Sequence, residues 1–327
     1  MMNKSAIDWC DFTWNPVTGC LRGCPYCYAK KQARRFCGDI RMNLTSEQLQ
    51  KEGDRCYILE RPFKTEYGTV LPYPAGFAPT IHRYRLPMPA QKQKPANIFV
   101  CSMADLFAKE TPTRWVVDVL DAARAATWHN YLFLTKSPER YRELDALALL
   151  PHTENFWYGT SINTQADIGR LAKLPAEAKR FVSIEPIMGP IDLDASPMRP
   201  HWVIIGAETG NRVGKCRPAA TWINDIIAWG ATHNVPVLVK DSDELRDATG
   251  TWGHQLLQQF PTPLIHVEKI IPHCRDCEHA SFIQQGKRGK LYSCDKVQED
   301  GGPTHIPGRY TRTSPPWCPK RSEGEKL

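Results

Sequence analysis

The sequence predicts an α/β fold built on a parallel sheet, either a parallel barrel or a doubly wound sheet. Six short and continuously apolar runs indicate buried strands, at residues 98–101, 131–134, 156–159, 181–184, 202–205 and 235–239. Helix-forming stretches alternate with them, at residues 113–128, 137–150, 165–174 and 219–233. Apolar strands that alternate with helices are typical of a parallel sheet covered on both faces.

Composition places the chain among folded proteins. Its 327 residues are 42% hydrophobic and 24% charged, enough to bury a large core, which excludes a disordered chain. No apolar run approaches the roughly 18 residues of a membrane span, and the first residues lack the apolar core of a secretory signal. We therefore expect a cytoplasmic protein, whose net charge of +7 favours a polyanionic partner such as nucleic acid.

Two segments interrupt the alternation. Residues 61–97 contain seven prolines, which should exclude regular helix and central strand, so we expect an ordered insertion over the core. After residue 265 the pattern stops, and residues 266–327 hold too little apolar material for a core of their own. We expect a domain of residues 1–265 and a C-terminal module of residues 266–327 that a metal or tight docking stabilises.

Polar residues follow the predicted strands. They are Ser102 and Asp105, Thr135, Lys136 and Ser137, Ser161 and Asn163, Glu185, Glu208 and Thr209, and Lys240 and Asp241. Ligand sites in parallel α/β proteins are built from the loops at the carboxyl ends of strands, so this pattern indicates a site there. For Ser137, which precedes Pro138, we expect a helix-capping role instead.

Cysteine spacing gives the strongest chemical signal. Cys20, Cys24 and Cys27 form a C-x3-C-x2-C motif on a glycine- and proline-containing loop, and helix formers follow at residues 28–36. Three thiolates at this spacing can each bind one iron of a cubane cluster and leave the fourth iron open. Structural zinc would need a fourth protein ligand, for which Cys10 and Cys37 are the nearest candidates in sequence. We expect the five isolated cysteines, Cys10, Cys37, Cys56, Cys101 and Cys216, to be buried apolar residues.

The motif, with Tyr26 just before its last cysteine, resembles the signature of the radical S-adenosylmethionine (SAM) superfamily. Further segments, at residues 14–20, 100–107, 133–136 and 182–186, resemble the uncharacterised, phage-associated three-cysteine-motif radical-SAM-like family, and more distantly spore photoproduct lyase. The resemblance covers roughly residues 5–245. It implies a partial parallel (β/α)6 barrel with a [4Fe-4S] cluster on Cys20, Cys24 and Cys27.

The same resemblance implies a reaction. The open iron would bind SAM, and an electron from a reductant such as flavodoxin or ferredoxin would release a 5′-deoxyadenosyl radical that abstracts hydrogen from a substrate. The resemblance also implies cofactor-binding roles for six residues. They are Tyr26 for the adenine, Ser102 for the methionine amino group, Lys136 for the carboxylate, Ser161 and Asn163 for the ribose hydroxyls, and Glu185 for the ribose or the substrate. The glycine-glycine-glutamate segment common in the superfamily is absent.

Four cysteines of the C-terminal module, Cys274, Cys277, Cys294 and Cys318, can close a tetrahedral metal site. Zinc fits four thiolates, and an auxiliary iron–sulfur cluster is the close rival. The leading hypothesis is a radical SAM enzyme that modifies a nucleobase or nucleotide. The alternative is a non-catalytic nucleic-acid-binding protein with structural zinc sites, which would leave Ser102, Lys136, Asn163 and Glu185 without a role.

Overall fold

A computed structural model describes residues 2–209, 212–252 and 256–264, together with the backbone of three short strands near the C-terminus. The chain divides into two compact units. One comprises Met1–Ala248 and Gln258–Leu264, and the other Thr249–Leu257 and Ile265–Leu327. Within the described residues, no helix combines the length and apolar character needed to cross a membrane.

The described elements follow one another in this order: β1 (Asn3–Lys4), β2 (Phe12–Trp14), β3 (Val17–Thr18), α1 (Tyr28–Arg35), α2 (Ile40–Leu44), β4 (Gln50–Glu52), β5 (Cys56–Leu59), β6 (Thr80–His82), α3 (Met88–Gln91), β7 (Asn97–Val100), α4 (Thr113–Arg124), β8 (Asn130–Thr135), α5 (Glu139–Ala146), β9 (Phe156–Ser161), β10 (Lys179–Ile184), β11 (Val203–Ile205), α6 (Ala220–His233), β12 (Val237–Val239), α7 (Asp243–Thr249), β13 (Ala280–Gly286), β14 (Gly289–Cys294) and β15 (His305–Ile306). Short 3₁₀ helices cover Arg83–Arg85, Gln165–Lys173, Leu193–Ala195 and Thr262–Leu264. In the second unit, β13, β14 and β15 form an antiparallel sheet.

An eight-stranded sheet organises the first unit, in the order β1-β2-β7-β8-β9-β10-β11-β12. All neighbours from β2 to β12 are parallel, and only β1 pairs antiparallel, at the edge. The predicted α/β fold with a parallel sheet is therefore confirmed. Within the described residues, no ladder joins β12 to β1 or β2, so the partial barrel stays a prediction.

One core cluster gathers side chains from β7 to β12 around Trp9. The Trp9 ring lies 4.5 Å from the ring centroid of Phe99, on β7, and 6.0 Å from that of Phe181, on β10. Three strand spacings would separate β7 and β10 by about 14 Å in a flat sheet. The side chains of β7 and β10 therefore converge on Trp9, and we call this side of the sheet its concave face. The other buried members are Cys10, Leu132, Trp157, Trp202, Ile204, Leu238 and Leu264.

The predicted helices are present but shorter at their ends than the sequence suggested. The expected helix over residues 165–174 is a 3₁₀ helix, Gln165–Lys173, which begins at a reciprocal capping box between Thr164 and Asp167. The capping role expected for Ser137 is wrong. α5 begins at Glu139 with no side-chain cap, and the Ser137 hydroxyl accepts a hydrogen bond from Arg22 instead.

A second, four-stranded sheet has the order β3-β6-β5-β4. The expectation that prolines exclude a central strand from residues 61–97 is wrong, because β6 lies between β3 and β5. Pro79 precedes β6, so no proline removes a donor from this ladder, and its carbonyl accepts the amide of Tyr57. A helix, α3, also forms there, with its proline at the first turn. This sheet packs its own small core around Leu49, Leu59, Phe63 and Ala75.

Candidate active site at the carboxyl edge of the sheet

Strand alternation places several predicted site residues on the concave face. Successive side chains of a strand point to opposite faces, so residues two apart share a face. Phe181 belongs to the core around Trp9, and Glu185 follows it by four residues. Trp157 belongs to the same core, and Asn163 follows it by six residues. Lys136 follows the core residue Leu132 by four residues, and Lys240 follows the core residue Leu238 by two. We call the ends of these parallel strands, where the four polar residues lie, the carboxyl edge.

The cysteine loop, residues 19–27, joins β3 to α1, and backbone hydrogen bonds tie it to the segment after β7 and to the segment before β6. The amide of Gly19 donates to the carbonyl of Met103 at 2.9 Å, and the amide of Cys20 donates to the carbonyl of Phe77 at 3.1 Å. Gly19 has a φ of +87°, and a Cβ atom there would lie 2.2 Å from the carbonyl oxygen of Ala78. Only glycine fits this position, so the entry to the loop is sterically defined.

Two of the three motif sulfurs accept backbone hydrogen bonds. The Cys20 Sγ accepts from the amide of Arg22 at 3.4 Å, and the Cys27 Sγ accepts from the amide of Lys30 at 3.4 Å. Cys27 is the N-cap of α1, where the helix dipole favours negative charge. These contacts suit thiolate ligands. In the protein without a metal, burial raises the pKa of the Cys20 thiol to about 11, and a bound metal ion would reverse that preference.

The three motif cysteines are free and partly exposed, so iron could reach them. In the described part of the chain, no group of three or more His, Cys, Asp or Glu residues is close enough to hold a single metal ion. Thiolates that each bind a different iron of a cubane are spread more widely than the ligands of one ion. The donor set, three soft sulfurs with backbone donors aimed at two of them, therefore fits an iron–sulfur cluster.

Asn163 connects the cysteine loop to three strands. Its Oδ1 accepts a hydrogen bond from the Tyr26 hydroxyl at 2.8 Å and another from the Lys136 Nζ at 2.9 Å. Its Nδ2 donates to the carbonyl of Pro186 at 2.8 Å, and its backbone amide donates to Asp167 at 2.9 Å. The structure thus brings together Tyr26, Lys136 and Asn163, three of the six residues to which the sequence assigned cofactor roles.

Lys136 is a half-buried cation held by a neutral acceptor. Its Nζ lies 5.6 Å from the centroid of the Tyr26 ring, a cation–π contact. Burial lowers the pKa of Lys136, and the nearby Cys24 and Asp167 oppose that shift. Among the residues that the structure describes, no carboxylate forms an ion pair with Lys136. A cation in this position is prepared to bind an anionic ligand beside the cysteine loop.

A second polar cluster, which sequence reasoning did not assign, links the cysteine loop to β7 and β8. The Arg22 guanidinium donates to the Ser137 hydroxyl at 2.5 Å and lies 3.6 Å from Asp105. Asp105 in turn accepts from the Thr135 hydroxyl at 2.6 Å and from the backbone amide of Lys136 at 3.1 Å. This cluster positions the backbone that carries Lys136. Its sequence signal was the post-strand position of Asp105.

Glu185, directly after β10, and Lys240, directly after β12, form an ion pair at the carboxyl edge. Burial alone would lower the pKa of Lys240, but the Glu185 carboxylate outweighs it and the pKa is raised. Burial raises the pKa of the nearby Tyr28 hydroxyl, and the negative charge of Glu185 adds to that rise. The Tyr28 hydroxyl donates to the carbonyl of Ser102 at 2.6 Å. Sequence reasoning passed over Tyr28 because it lies one position after the motif.

The two predicted serines have different surroundings. The Ser102 hydroxyl donates to the side chain of Asn15 at 3.2 Å, so it is engaged within the protein. Ser161 is buried at the end of β9, and its carbonyl accepts from Arg170 at 2.8 Å. Neither serine contacts the group formed by Tyr26, Lys136 and Asn163 through a hydrogen bond described in this structure.

The isolated cysteines largely follow expectation, since Cys10, Cys37, Cys56 and Cys101 are buried. Cys216 is the exception and is partly exposed. Of the four cysteines predicted to close a second metal site, Cys274, Cys277 and Cys318 lie outside the described residues. Cys294 ends β14, of which only the backbone is described.

No curated protein shows significant sequence similarity to this chain. Among solved structures, it is similar to spore photoproduct lyase with bound AdoMet and dinucleoside spore photoproduct, at 11% identity and a TM-score of 0.42, over 65% of this chain and 60% of that one. A serine variant of the same enzyme gives 12% identity and a TM-score of 0.43, over 73% of this chain and 78% of that one. The chain thus spans about 60% of the length of the first of these structures. Residues 4–269 match the family described as "Protein of unknown function (DUF5131)", and the chain belongs to that family.

Proposed function

We propose that this protein is a radical SAM enzyme, with a [4Fe-4S] cluster bound by Cys20, Cys24 and Cys27. The observation that carries the proposal is Lys136, a half-buried cation that has a neutral hydrogen-bond partner and faces the cysteine loop. The cluster and SAM, when bound, supply a reductive cleavage that yields methionine and a 5′-deoxyadenosyl radical. The protein must bind, orient and shield these groups.

Lys136 is suited to bind the methionine carboxylate of SAM as a point charge. Asn163 holds the Lys136 ammonium in place and, by accepting the Tyr26 hydroxyl, fixes the Tyr26 ring that would border the adenine. Because both bonds occupy its Oδ1, Asn163 serves better as a positioning residue than as a direct ligand of the ribose. Arg22 and Asp105 support the same arrangement from the cysteine loop and from the loop after β7.

The remaining predicted roles follow from position. Ser102 and Ser161 stay candidates for the amino group and the ribose, through atoms that their present hydrogen bonds leave available. Glu185, which is paired with Lys240, would bind the ribose hydroxyls or contact the substrate. Beneath it the aromatic core around Trp9 closes the sheet interior to water, which protects a radical from stray hydrogen donors.

We further propose that the substrate is a nucleobase or nucleotide and that the reductant is a flavodoxin or ferredoxin. The net charge of +7 supports a polyanionic partner. Cys274, Cys277, Cys294 and Cys318 would bind a second metal, zinc or an auxiliary iron–sulfur cluster, in the C-terminal segment.

Anaerobic reconstitution tests the proposal. The protein is loaded with iron and sulfide, its metal content and visible spectrum are recorded, and dithionite and SAM are added to detect 5′-deoxyadenosine. We expect iron–sulfur absorption and 5′-deoxyadenosine from the wild type, and neither at wild-type level from Cys24→Ala. Cys216→Ala, which removes a partly exposed cysteine outside the motif, is the matched control and should behave as the wild type.

The contrary result is stable zinc with no cluster under these conditions. It would overturn the enzyme proposal and favour the non-catalytic nucleic-acid-binding alternative. Zinc stoichiometry in the Cys24→Ala protein reports separately on the C-terminal cysteines.

A further inference from the structure

Tyr28 combines an anchored hydroxyl with an exposed ring. The side chain is 54% exposed, although Tyr28 follows Cys27 directly and begins α1. Its hydroxyl donates to the Ser102 carbonyl at 2.6 Å, which fixes the orientation of the ring. A tyrosine whose hydroxyl is anchored while about half of the residue stays exposed can stack a planar group, since little rotamer entropy is lost on binding.

Two charged groups at the same carboxyl edge match the edge of a nucleobase. Glu185 presents acceptors and Lys240 presents donors, and both side chains retain partial exposure, at 31% and 22%. Nucleobases carry donors and acceptors side by side on one edge, whereas a simple aromatic ring does not. The carboxyl edge thus carries both a tyrosine ring, anchored to the loop after β7, and a donor–acceptor pair after β10 and β12.

Helix α1 extends this edge with positive charge. It contains Lys30, Lys31, Arg34 and Arg35 and no acidic residue. Lys31 and Arg35 follow Tyr28 at positions i+3 and i+7, which places the three on one face of the helix, and all three are exposed. The rise of the helix separates Tyr28 from Arg35 by about 10 Å along the axis.

Two acidic residues of the described chain near this face, Glu208 and Asp39, are engaged with other groups. The Glu208 carboxylate is paired with Arg212, which lowers the pKa of Glu208, and the charge of Lys31 adds to that shift. Asp39, beyond the end of α1, caps α2 by accepting from the amide of Arg41. The Arg35 guanidinium lies 5.4 Å from the centroid of the Phe36 ring, which is itself 45% exposed and offers a second stacking surface.

We propose that α1 and the carboxyl edge bind a single-stranded nucleic acid, with one base stacked on Tyr28 toward Glu185 and Lys240, and with neighbouring phosphates on Lys31 and Arg35. This inference rests on the proposed function, because it names the substrate class of the same site. A strand fits better than a free nucleotide, since Arg35 lies two helical turns from the stacking ring. An acidic protein would pair with the charges but would leave the anchored ring without a role.

The test is fluorescence anisotropy with labelled single-stranded DNA and RNA of about 12 nucleotides, measured over a range of salt concentrations without SAM or reductant. We expect Tyr28→Ala to weaken binding about tenfold or more, with the salt slope unchanged, and Tyr28→Phe to retain most of the affinity. The double variant Lys31→Gln/Arg35→Gln should lower the slope of log K against log salt by about 1.4, since each phosphate contact contributes about 0.7. Circular dichroism confirms that each variant is folded.

Matched controls use residues of the same type elsewhere on the surface. Tyr67→Ala removes a tyrosine that is 87% exposed, and Lys51→Gln/Lys109→Gln removes two exposed lysines. All three substitutions should leave affinity and salt slope as in the wild type. If they lower affinity as much as the α1 variants, binding is diffuse and the proposed surface is wrong.

Three other results would overturn the inference. Tyr28→Ala could bind as tightly as the wild type; mononucleotides could displace the strand at concentrations near its own Kd, which would indicate a small-molecule site; or an acidic flavodoxin could bind through Lys31 and Arg35 while oligonucleotides do not. The 5′-deoxyadenosine assay on the wild type is separate. Radical formation without strand binding refutes this inference alone, whereas strand binding without radical formation refutes the proposed enzyme.

Discussion

A Cβ atom on Gly206 would lie 2.8 Å from the Cδ atom of Glu185. Gly206 follows β11, and Glu185 follows the neighbouring strand β10, so the carboxylate crosses the end of one strand to reach Lys240 beyond it. A glycine at this point leaves the space that the side chain needs. The ion pair at the carboxyl edge therefore depends on a residue that contributes no side chain to it.

Gly206→Ala should displace Glu185 and lower the free energy of unfolding by about 1–3 kcal/mol, the usual cost of overpacking. Urea titration measures this change. A double-mutant cycle with Glu185→Ala isolates the contact, because the alanine at 206 then meets no obstacle, and a coupling energy above about 0.5 kcal/mol is expected. Additive effects of the two substitutions would contradict the steric relationship.

Lys136→Met should weaken SAM binding by about tenfold to a hundredfold, since a hydrogen bond to a charged group contributes about 1.5–3 kcal/mol. Calorimetric titration of the reconstituted protein measures the Kd, and Lys136→Arg should retain part of the affinity because it keeps the charge. Lys109→Met, at an exposed lysine, is the matched control. Equal affinity in Lys136→Met and the wild type would show that Lys136 does not bind the carboxylate.

Gly19 and Gly23 offer a matched pair within the cysteine loop. Both have positive φ, +87° and +75°, but a Cβ atom would meet the backbone of residue Ala78 only at Gly19 and would meet nothing within 4 Å at Gly23. Gly23→Ala should lower the free energy of unfolding by about 1–2 kcal/mol through conformational strain. Gly19→Ala should lower it further, because it adds the contact with Ala78. Urea titration and iron content per chain measure the two effects. Equal losses in the two variants would mean that the contact with Ala78 does not define the loop.

His82 should make stability depend on pH. It is fully buried between Thr18 and Tyr84, and burial, followed by the charge of Arg85, lowers its pKa well below the ordinary value. Below about pH 6.5 the unfolded chain binds a proton that the folded protein does not, so the free energy of unfolding falls as the pH drops, by up to about 1.4 kcal/mol per pH unit.

The variant His82→Gln should lose that part of the pH dependence. Urea titrations of both proteins from pH 8 to pH 5 give the comparison. At pH 8 neither protein carries the charge, so their difference there reports only the lost contacts with Thr18 and Tyr84. Parallel pH profiles of the two proteins would show that His82 is not the titrating group.

Local sequence patterns predicted the strands from β7 to β12, because each is a buried apolar run that differs sharply from its flanks. The patterns did not reveal β2, which has three residues and pairs in parallel with β7 more than eighty residues later. Nor did they reveal β6 inside the proline-rich segment. Pairings over such distances depend on tertiary packing that no local window records.

The candidate site shows the same division. Spacing alone indicated the three motif cysteines, and the post-strand positions indicated Lys136 and Asn163, whose roles stay predictions. The contact that anchors Tyr28 joins it to Ser102, 74 residues away, and the contact of Arg22 with Ser137 spans 115 residues. Contacts between residues so far apart in sequence form only when the loops at the carboxyl edge fold together, so a local sequence pattern does not indicate them.

The pairing partners of the cysteine loop have a consequence for biosynthesis. β3 pairs with β6, and the amide of Gly19 donates to the carbonyl of Met103, so the cysteine loop is completed by segments that are translated after it. In the proposed cluster site, Cys20, Cys24 and Cys27 therefore reach their final arrangement only after Met103 has been synthesised. We therefore expect insertion of the proposed cluster to follow synthesis of Met103, and a nascent chain arrested before that residue should not retain iron.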